Sequence, residues 1–372
     1  MKFFPRITIY DKYIFSQVFM ATFVAILLFT VVWIAPEMLL NTIKDALAGE
    51  YTVKTAILVL MYELPKILSK AFPVGLLLGS LFTFDKLSKD SEVTIFRAAG
   101  LSFGRILVPV VFLSVLVSIL CFYTTDRLIP YAEHQGRVIT HSYPSTQYIY
   151  TQKDEDNAPK TAIIVSEFRH NTMKDVIVLD FSKKIYSDVH QLSNIYSAEN
   201  GEYIPNKCWR LSNIKQYDIS NDGIFTAINR KGTMDILNGA ASERAYTLMS
   251  YSAIKEREIT NKDLRNYVKL LKEEQLEEEY LGMLNKYLQR FFHPLVCILL
   301  AIMGTLLGFS KPREQRAVGF VIAIGSIFVY YITLPFFDLL AEKGILPPLI
   351  TAMFPILAFL VCIVIFYKSK DL

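Results

Sequence analysis

Asp85-Lys86-Leu87-Ser88-Lys89-Asp90-Ser91-Glu92-Val93-Thr94-Ile95-Phe96-Arg97-Ala98-Ala99-Gly100-Leu101-Ser102 is a short polar stretch with helical character, set between two apolar runs. Ser88, or Ser91 a turn later, is placed to cap its start, and Gly100 to close its end. Val93, Ile95 and Phe96 give it an apolar contact surface. It is far too short and polar to cross a bilayer. Two readings follow: an interfacial loop helix, or an element shaped to fit a groove on another protein.

The flanks decide the class. The chain has 372 residues, 52% of them hydrophobic, with 26 Phe and 21 Tyr, and its mean hydropathy is +0.33. That is a membrane protein with a sizeable polar part. A net charge of +4 without a basic tail or an aromatic-basic motif argues against nucleic acid. Of Cys121, Cys208, Cys297 and Cys362, three lie in apolar runs, which leaves Cys208 alone in the polar part. No intradomain disulfide is available there, and no Cys/His spacing suits a metal, so no cofactor is expected. His293, just before Pro294 at a span entrance, reads as structural.

Upstream, Ile14 to about Leu40 is too long for a signal-peptide core and reads as a retained first span. A second runs from about Val53 to Phe84, longer than the roughly 20 residues a bilayer needs, with Pro65 and Pro73 as expected points of bending. Glu63, Lys66 and Lys70 interrupt it at i,i+3 and i,i+4 spacing. Either Glu63 pairs with Lys66 near the interface, or these charges face a cavity or a partner.

Downstream, a third span covers about Phe103 to Thr125. Asp126 to Lys255 is polar and rich in short alternating segments: 161–165, 175–181, 209–214 and 223–228. Asn200-Gly201, Asp222-Gly223 and Lys231-Gly232 look like the turns between them. This pattern suggests an antiparallel sandwich or jelly roll. Thr260 to Asp263 resembles a capping box opening a helix that carries Leu264, Tyr267, Val268 and Leu271 on one side. Spans four to six follow at about 291–309, 318–340 and 346–367.

Charge sets the orientation. Lys2, Arg6, Lys12, Lys86, Lys89, Arg97, Arg105, Lys311, Arg313, Arg316, Lys368 and Lys370 fall on one side of the six spans. The short loops opposite hold Lys44 and Lys343, with Lys54 at a span edge. The positive-inside rule then puts both termini and the polar helix in the cytoplasm and the β domain outside. The expected fold is an α-helical membrane protein of six transmembrane helices, three and three, with an inserted periplasmic antiparallel β jelly-roll domain. The expected divisions are 1–127 (with a coupling helix at 86–99), 128–257 and 258–372.

Chemistry for an enzyme is not evident. The chain has no GxxxxGK[ST], HExxH or GxSxG. Asp338, a lone carboxylate near a span end, is a remote catalytic candidate. The cytoplasmic helix makes sense as the dock for an external motor, engaged as a helix in a groove.

In these residues the chain resembles the LptF/LptG permease family, the membrane subunits of the lipopolysaccharide exporter. The similarity runs through Tyr10-Asp11-Lys12-Tyr13-Ile14, Leu64-Pro65, Phe72-Pro73 and Leu78-Gly79. It continues in Ser91-Glu92-Val93 through Arg97-Ala98-Ala99-Gly100-Leu101-Ser102, Trp209-Arg210-Leu211, Tyr267-Val268-Lys269-Leu270-Leu271, and Arg290 with Pro294. The 91–102 stretch is the most specific part.

The resemblance implies a multi-pass protein of the bacterial inner membrane. It implies pairing with a second LptF/LptG-type permease, identical or different, on a dimer of cytoplasmic ABC ATPases. Lipopolysaccharide would enter a central cavity, rise into the apolar groove of the β domain and pass to periplasmic jelly-roll proteins of the LptC/LptA type. Glu92 matches the coupling-helix glutamate and would contact the ATPase, in company with Asp90, Val93, Phe96 and Arg97. Lys66 and Arg137 fall where LptG-type members carry basic residues near the cavity, and with Lys70 and Lys44 they are candidates for lipid phosphates. The basic residue that LptG-type members carry high on the first span has no match here, where Trp33 and Glu37 stand. A membrane-anchored assembly scaffold is the competing reading.

Overall fold

The computed structural model describes residues 8–34, 44, 52–140, 148–153, 159–169, 171–183, 190–205, 207–219, 225–252, 254–309 and 317–369. Helices α1 (Ile9–Ile34), α2 (Val53–Lys89), α3 (Glu92–Ala98) and α4 (Phe103–Tyr123) come first. A π-helical turn, Thr124–Leu128, joins α4 to α5 (Ile129–Thr140). Then come β1 (Tyr148–Lys153), β2 (Pro159–Arg169), β3 (Thr172–Lys183), β4 (His190–Ile204), β5 (Cys208–Ile219) and β6 (Phe225–Ile236). Helices α6 (Ala240–Ser252), α7 (Asn261–Glu273), α8 (Glu277–Gly308), α9 (Ala317–Glu342) and α10 (Pro348–Ser369) complete the chain. Two compact units result: Met1–His141 with Thr260–Val268 and Glu274–Leu372, and Ser142–Ile259 with Lys269–Glu273.

The first unit is helical. Among the described residues, six helical stretches are long and apolar enough to cross a membrane: Ile9–Trp33, Val53–Lys89, Phe103–Thr140, Glu277–Gly308, Val318–Glu342 and Pro348–Ser369. Three precede the sheet and three follow it.

Helix α2 is the hub, and glycines let its neighbours approach. A Cβ on Gly75 would overlap Ile26, and one on Gly79 would overlap Thr22, both on α1. On another face, Gly304 and Gly308 of α8 lie against the Leu77 and Leu81 carbonyls, where a Cβ would again overlap. Both pairs have the small-xxx-small spacing that permits close helix packing in membranes. The apolar side chains between them, Leu76, Phe84, Ala301 and Leu306 among others, are buried. Helix α1 is apolar all round, yet its buried residues Ile14, Val18, Thr22, Ala25, Ile26 and Thr30 follow one stripe.

Two expectations about helix ends change. The polar helix proposed over 86–99 is divided: Lys86–Lys89 continue α2, and α3 begins at Glu92. Second, the third span does not end at Thr125. The helix continues to Thr140, so 128–140, expected at the start of the β domain, is helical. Asp126 looks like a span end, but its carboxylate accepts the Asn261 backbone N–H at 3.0 Å and so faces protein, not water alone. Helix α2 runs as one helix that contains Pro65 and Pro73. The capping box does form: the Thr260 hydroxyl accepts the Asp263 N–H at 3.3 Å and donates to its carboxylate at 2.7 Å. The buried face of α7 is Leu264, Tyr267, Val268 and Leu271.

The second unit holds a six-stranded antiparallel sheet in the order β1-β2-β3-β4-β5-β6. Period-two burial drives it: Ile163, Val165, Val176, Val178, Tyr196, Ala198 and Ile214 all turn inward. The parity then shifts across the middle strands, and Phe168, Met173, Tyr203 and Leu211 become the buried set. The shift follows one row, Ser166–Asp175–Glu199–Asn213–Gly232, at which each ladder skips a pair. Asp175 and Asn213 take φ of 49° and 55° there, a conformation Asp and Asn tolerate well.

This row explains two misread turns. Asn200-Gly201 lies inside β4 and Lys231-Gly232 inside β6, so these residues lie at or beside a row of skipped pairs across which the register is kept, not at chain reversals. Gly201 leaves room for Leu211, whose Cδ2 would stand 2.9 Å from an added Cβ and would have to shift. Asp222-Gly223 lies outside the described residues. Helix α6 seats on the sheet through Trp209, fully buried, whose Nε1 donates to the Ser242 carbonyl at 3.1 Å, and through Tyr246 stacked on Tyr203 at 4.0 Å.

Candidate functional site

The polar stretch folds as a helix–turn–helix–turn. Helix α2 stops where the Asp90 N–H returns to the Lys86 carbonyl at 2.9 Å. Ser91 then takes φ 61°, and its side chain makes no cap hydrogen bond. Ser88 does not cap either; its hydroxyl donates to the Gly308 carbonyl at 3.4 Å. At the far end the expected glycine closure holds. Gly100 has φ 84°, its N–H bonds the Arg97 carbonyl at 2.9 Å, and the Leu101 N–H bonds the Phe96 carbonyl at 3.1 Å. That pair of bonds is a Schellman motif. Ser102 caps α4 by accepting the Arg105 N–H at 3.4 Å. Helix α3 is thus fixed by its two turns, although at seven residues it is too short to be stable alone.

Its faces differ. Val93 is buried in the bundle core, and Phe96 packs beside it. Ile95 is 63% exposed, and Asp90 and Arg97 are exposed. Arg97 lies over the Phe309 ring at 5.9 Å. Glu92 is partly buried, and both of its oxygens accept the Tyr13 hydroxyl, at 2.8 and 3.1 Å. The entry of α1 is bound to the same corner. Asp11 receives Arg105 at 2.6 Å and the Thr8 N–H at 2.9 Å, and Tyr10 lies between Phe96 at 6.5 Å and Arg105 at 5.2 Å. Together Thr8, Ile9, Tyr10, Tyr13, Glu92, Ile95 and Phe96 line an open groove of about 750 Å³. Its floor is apolar, with one carboxylate at the edge. Such a groove can receive an apolar side chain and a neighbouring cation from another protein.

The basic candidates lie along α2. Lys66 is 23 residues before the end of α2 at Lys89, which is about 34 Å at 1.5 Å per residue. That is close to the roughly 30 Å depth of a hydrocarbon core. Lys66 Nζ is 2.8 Å from Glu63 Oε2 and 3.9 Å from Glu133 Oε1 on α5. The Glu63–Lys66 pair forms, and both side chains remain about a quarter exposed. One turn on, the Lys70 ammonium lies 5.1 Å over the Trp33 ring, and the Lys70 carbonyl accepts the Tyr331 hydroxyl at 2.7 Å. Arg137 stands one turn beyond Glu133 on α5, its Nη2 3.4 Å from His134 Nδ1. Lys66 and Lys70 are therefore one turn apart, and Glu133 connects Lys66 to the helix that carries Arg137. Lys44 is helical and exposed, with its chain neighbours outside the described residues.

Several of these partners escaped the sequence. Tyr13 and Glu92 are too far apart in the chain for spacing to link them. Trp33 and Lys70 meet only through packing of α1 on α2. Glu133 and Arg137 do have i,i+4 spacing, a signal that becomes legible once 128–140 is known to be helix.

Asp338 has a structural role. It accepts the Asn285 amide at 2.7 Å and the Gln289 amide at 2.5 Å, and Asn285 in turn accepts the Thr351 hydroxyl at 2.8 Å. These bonds hold α8, α9 and α10 together. His293 is likewise engaged, with Nδ1 2.6 Å from the Tyr330 hydroxyl.

Comparison with known proteins places this arrangement. The family described as lipopolysaccharide export system permease LptF/LptG matches residues 12–369. The lipopolysaccharide export system permease protein LptG of Escherichia coli K12 is 23% identical over 356 residues, covering 94% of this chain and 93% of that protein. The LptG protein of Escherichia coli O6:H1 matches with the same identity and coverage. With nearly every residue from the first helix to the last inside that match, the chain belongs to the LptF/LptG family of lipopolysaccharide export system permeases.

Proposed function

We propose that this permease subunit, a multi-pass protein of the inner membrane, converts the work of an external ATPase into extraction of lipopolysaccharide from the bilayer. The observation that carries the reading is one continuous helix with a site at each end. Helix α2 ends in the turn that mounts α3, and about 34 Å away it carries Lys66, bound to Glu63 and Glu133, and Lys70. Lys86, Lys89, Arg97 and Arg105 cluster around α3, which favours the cytoplasm for that end and the periplasm for the sheet.

In this reading a cytoplasmic ABC ATPase dimer docks on α3, contacting Glu92 and the exposed Ile95. A second permease of the same family completes a cavity between the subunits. Lys66, Lys70 and Arg137 meet the phosphates of the lipid at the outer edge of the hydrocarbon core, and Lys44 adds to them. ATP-driven closure moves the lipid to the apolar face of the sheet and on to periplasmic jelly-roll proteins. Charge at membrane depth fits such a role, because it is retained where it faces a cavity or a ligand.

The test is purification of the chain from its native membrane in gentle detergent, followed by mass spectrometry of everything that co-elutes. A P-loop ATPase together with a lipid A-containing glycolipid is expected, and the number of permease chains distinguishes a homodimer from a heterodimer. Absence of an ATPase under conditions that preserve other ABC complexes would overturn the docking role of α3.

A further inference from the structure

Lys66 already has an occupant. Its ammonium is 2.8 Å from Glu63 and 3.9 Å from Glu133, so the three side chains together carry one net negative charge. A phosphate brought to Lys66 in this arrangement would meet two carboxylates as well as one ammonium. The two carboxylates are not equivalent. Glu63 sits on the same helix as Lys66, three residues before it, and travels with it. Glu133 belongs to α5, and its side chain is 10% exposed against 25% for Lys66. Its 3.9 Å separation is at the outer limit of an ion pair, so a shift of α5 by an ångström or two ends the contact.

The chain has a place for such a shift. Helix α5 is joined to α4 by the π-helical turn Thr124–Leu128. A π turn re-aims every side chain beyond it relative to a regular helix, and such turns recur at functional sites. Glu133 and Arg137 are one turn apart on α5 and share a face. Gly136, between them, faces Tyr62 of α2, where an added Cβ would stand 3.9 Å from Tyr62 Cβ, in ordinary contact; no side chain of α5 interlocks with α2 at that point. Sliding by part of a turn withdraws Glu133 from Lys66 and brings Arg137 closer. The pocket then changes from two carboxylates and one cation to one carboxylate and two cations.

We propose that Glu133 is an internal competitor for Lys66. It holds the lysine in the empty permease, and a lipid phosphate must displace it, recruiting Arg137 as it does so. This inference rests on the reading that Lys66 meets a lipid phosphate. It adds that occupancy of the site is contested by the protein itself, which sets how tightly the lipid is held before it is passed on.

The experiment uses the complete transporter in nanodiscs, with a photo-crosslinking residue at position 62. The probes are bisphosphorylated lipid A and the same lipid with both phosphates removed. Glu133→Gln is expected to raise the crosslinking yield of the phosphorylated lipid by about fivefold and leave the dephosphorylated lipid unchanged. Glu133→Asp, which draws the carboxylate back by one methylene, gives a smaller rise in the same direction and stands in if the glutamine variant is poorly folded. Equal yields in Glu133→Gln and the parent overturn the proposal, as does an equal rise for both lipids, which would mean the helices had merely loosened. Lys66→Gln separates the two levels. If it lowers the yield of phosphorylated lipid while Glu133→Gln changes nothing, only the competitor fails; if it has no effect, the phosphate reading of Lys66 falls and the competitor with it.

Discussion

The Tyr13 hydroxyl donates to both oxygens of the Glu92 carboxylate, at 3.1 and 2.8 Å, across 79 residues of chain. This bond fixes where the Glu92 charge points and ties the start of the first helix to α3. A hydrogen bond to a charged group contributes about 1–3 kcal/mol to stability, and this one lies at the surface of the bundle, so its removal leaves the fold intact. Tyr13→Phe is expected to keep normal protein level and thermal stability while raising the number of ATP molecules hydrolysed per lipopolysaccharide released. The two are measured together in proteoliposomes. An unchanged ratio would mean that the phenol has no part in coupling.

Glu92→Ala carries the test further. It is expected to abolish lipopolysaccharide release at normal protein level, while Thr94→Ala on the exposed side of α3 has little effect. Export at the parental rate in Glu92→Ala would favour the assembly-scaffold reading.

The glycines of α4 and α8 make a prediction of opposite signs. A side chain at Gly304 runs into the Leu77 carbonyl, and Gly304→Val is expected to cost about 1–3 kcal/mol as an overpacked contact. Gly104, in the first turn of α4, has open space within 4 Å of where a Cβ would stand, and Gly104→Ala is expected to be neutral or to gain about 0.5–1 kcal/mol. Thermal unfolding in detergent reads both. Similar melting temperatures for the two variants would contradict the close approach of α8 to α2.

If the sheet receives the acyl chains, its inward face does so. Val178 is 1% exposed and opposite Ile163, whereas Ile177 is 38% exposed and opposite Ile164. A photo-crosslinker at position 178 is expected to trap lipid in working transporter, and one at 177 to trap little. Equal yields at the two neighbouring positions would remove the inward face as the route.

Cys208 supplies a pH test of the sheet unit. It is 6% exposed, and burial, then the neighbouring Asp235 carboxylate, push its thiol above the usual range. A raised thiol carries less thiolate at a given pH, and the thiolate is the reactive form. Alkylation of Cys208 at pH 8 is therefore expected to be slower than that of a free cysteine, and to accelerate as pH rises further. Asp235→Asn removes the second cause and is expected to speed the reaction at fixed pH. Peptide mass spectrometry follows the site in the full chain; no pH dependence above 8 would contradict it.

The order of the molecule was written in the sequence. Six apolar runs, the polar stretch between the second and third, and the alternating segments between the third and fourth follow from composition and period, because burial in lipid and in a sheet impose those patterns directly. The capping box at Thr260 and the closure at Gly100 were also legible, since each is completed within a few residues. What depended on partners far along the chain was not. Helix α1 is apolar on every side, so only packing on Gly75 and Gly79 selects Ile14, Val18, Thr22 and Ile26 as its buried stripe. Asn200-Gly201 and Lys231-Gly232 have the composition of turns; ladder pairing with the neighbouring strands on both sides of the skipped row makes them strand. Spacing named Glu63 as a partner for Lys66 and none for Glu92, and neither Glu133 nor Tyr13 could be named as a partner from spacing. Local periodicity fixes which residues form each element. The assignment of one charge to another across 67 or 79 residues is made only when helices pack, because that is when their side chains come within a few ångströms.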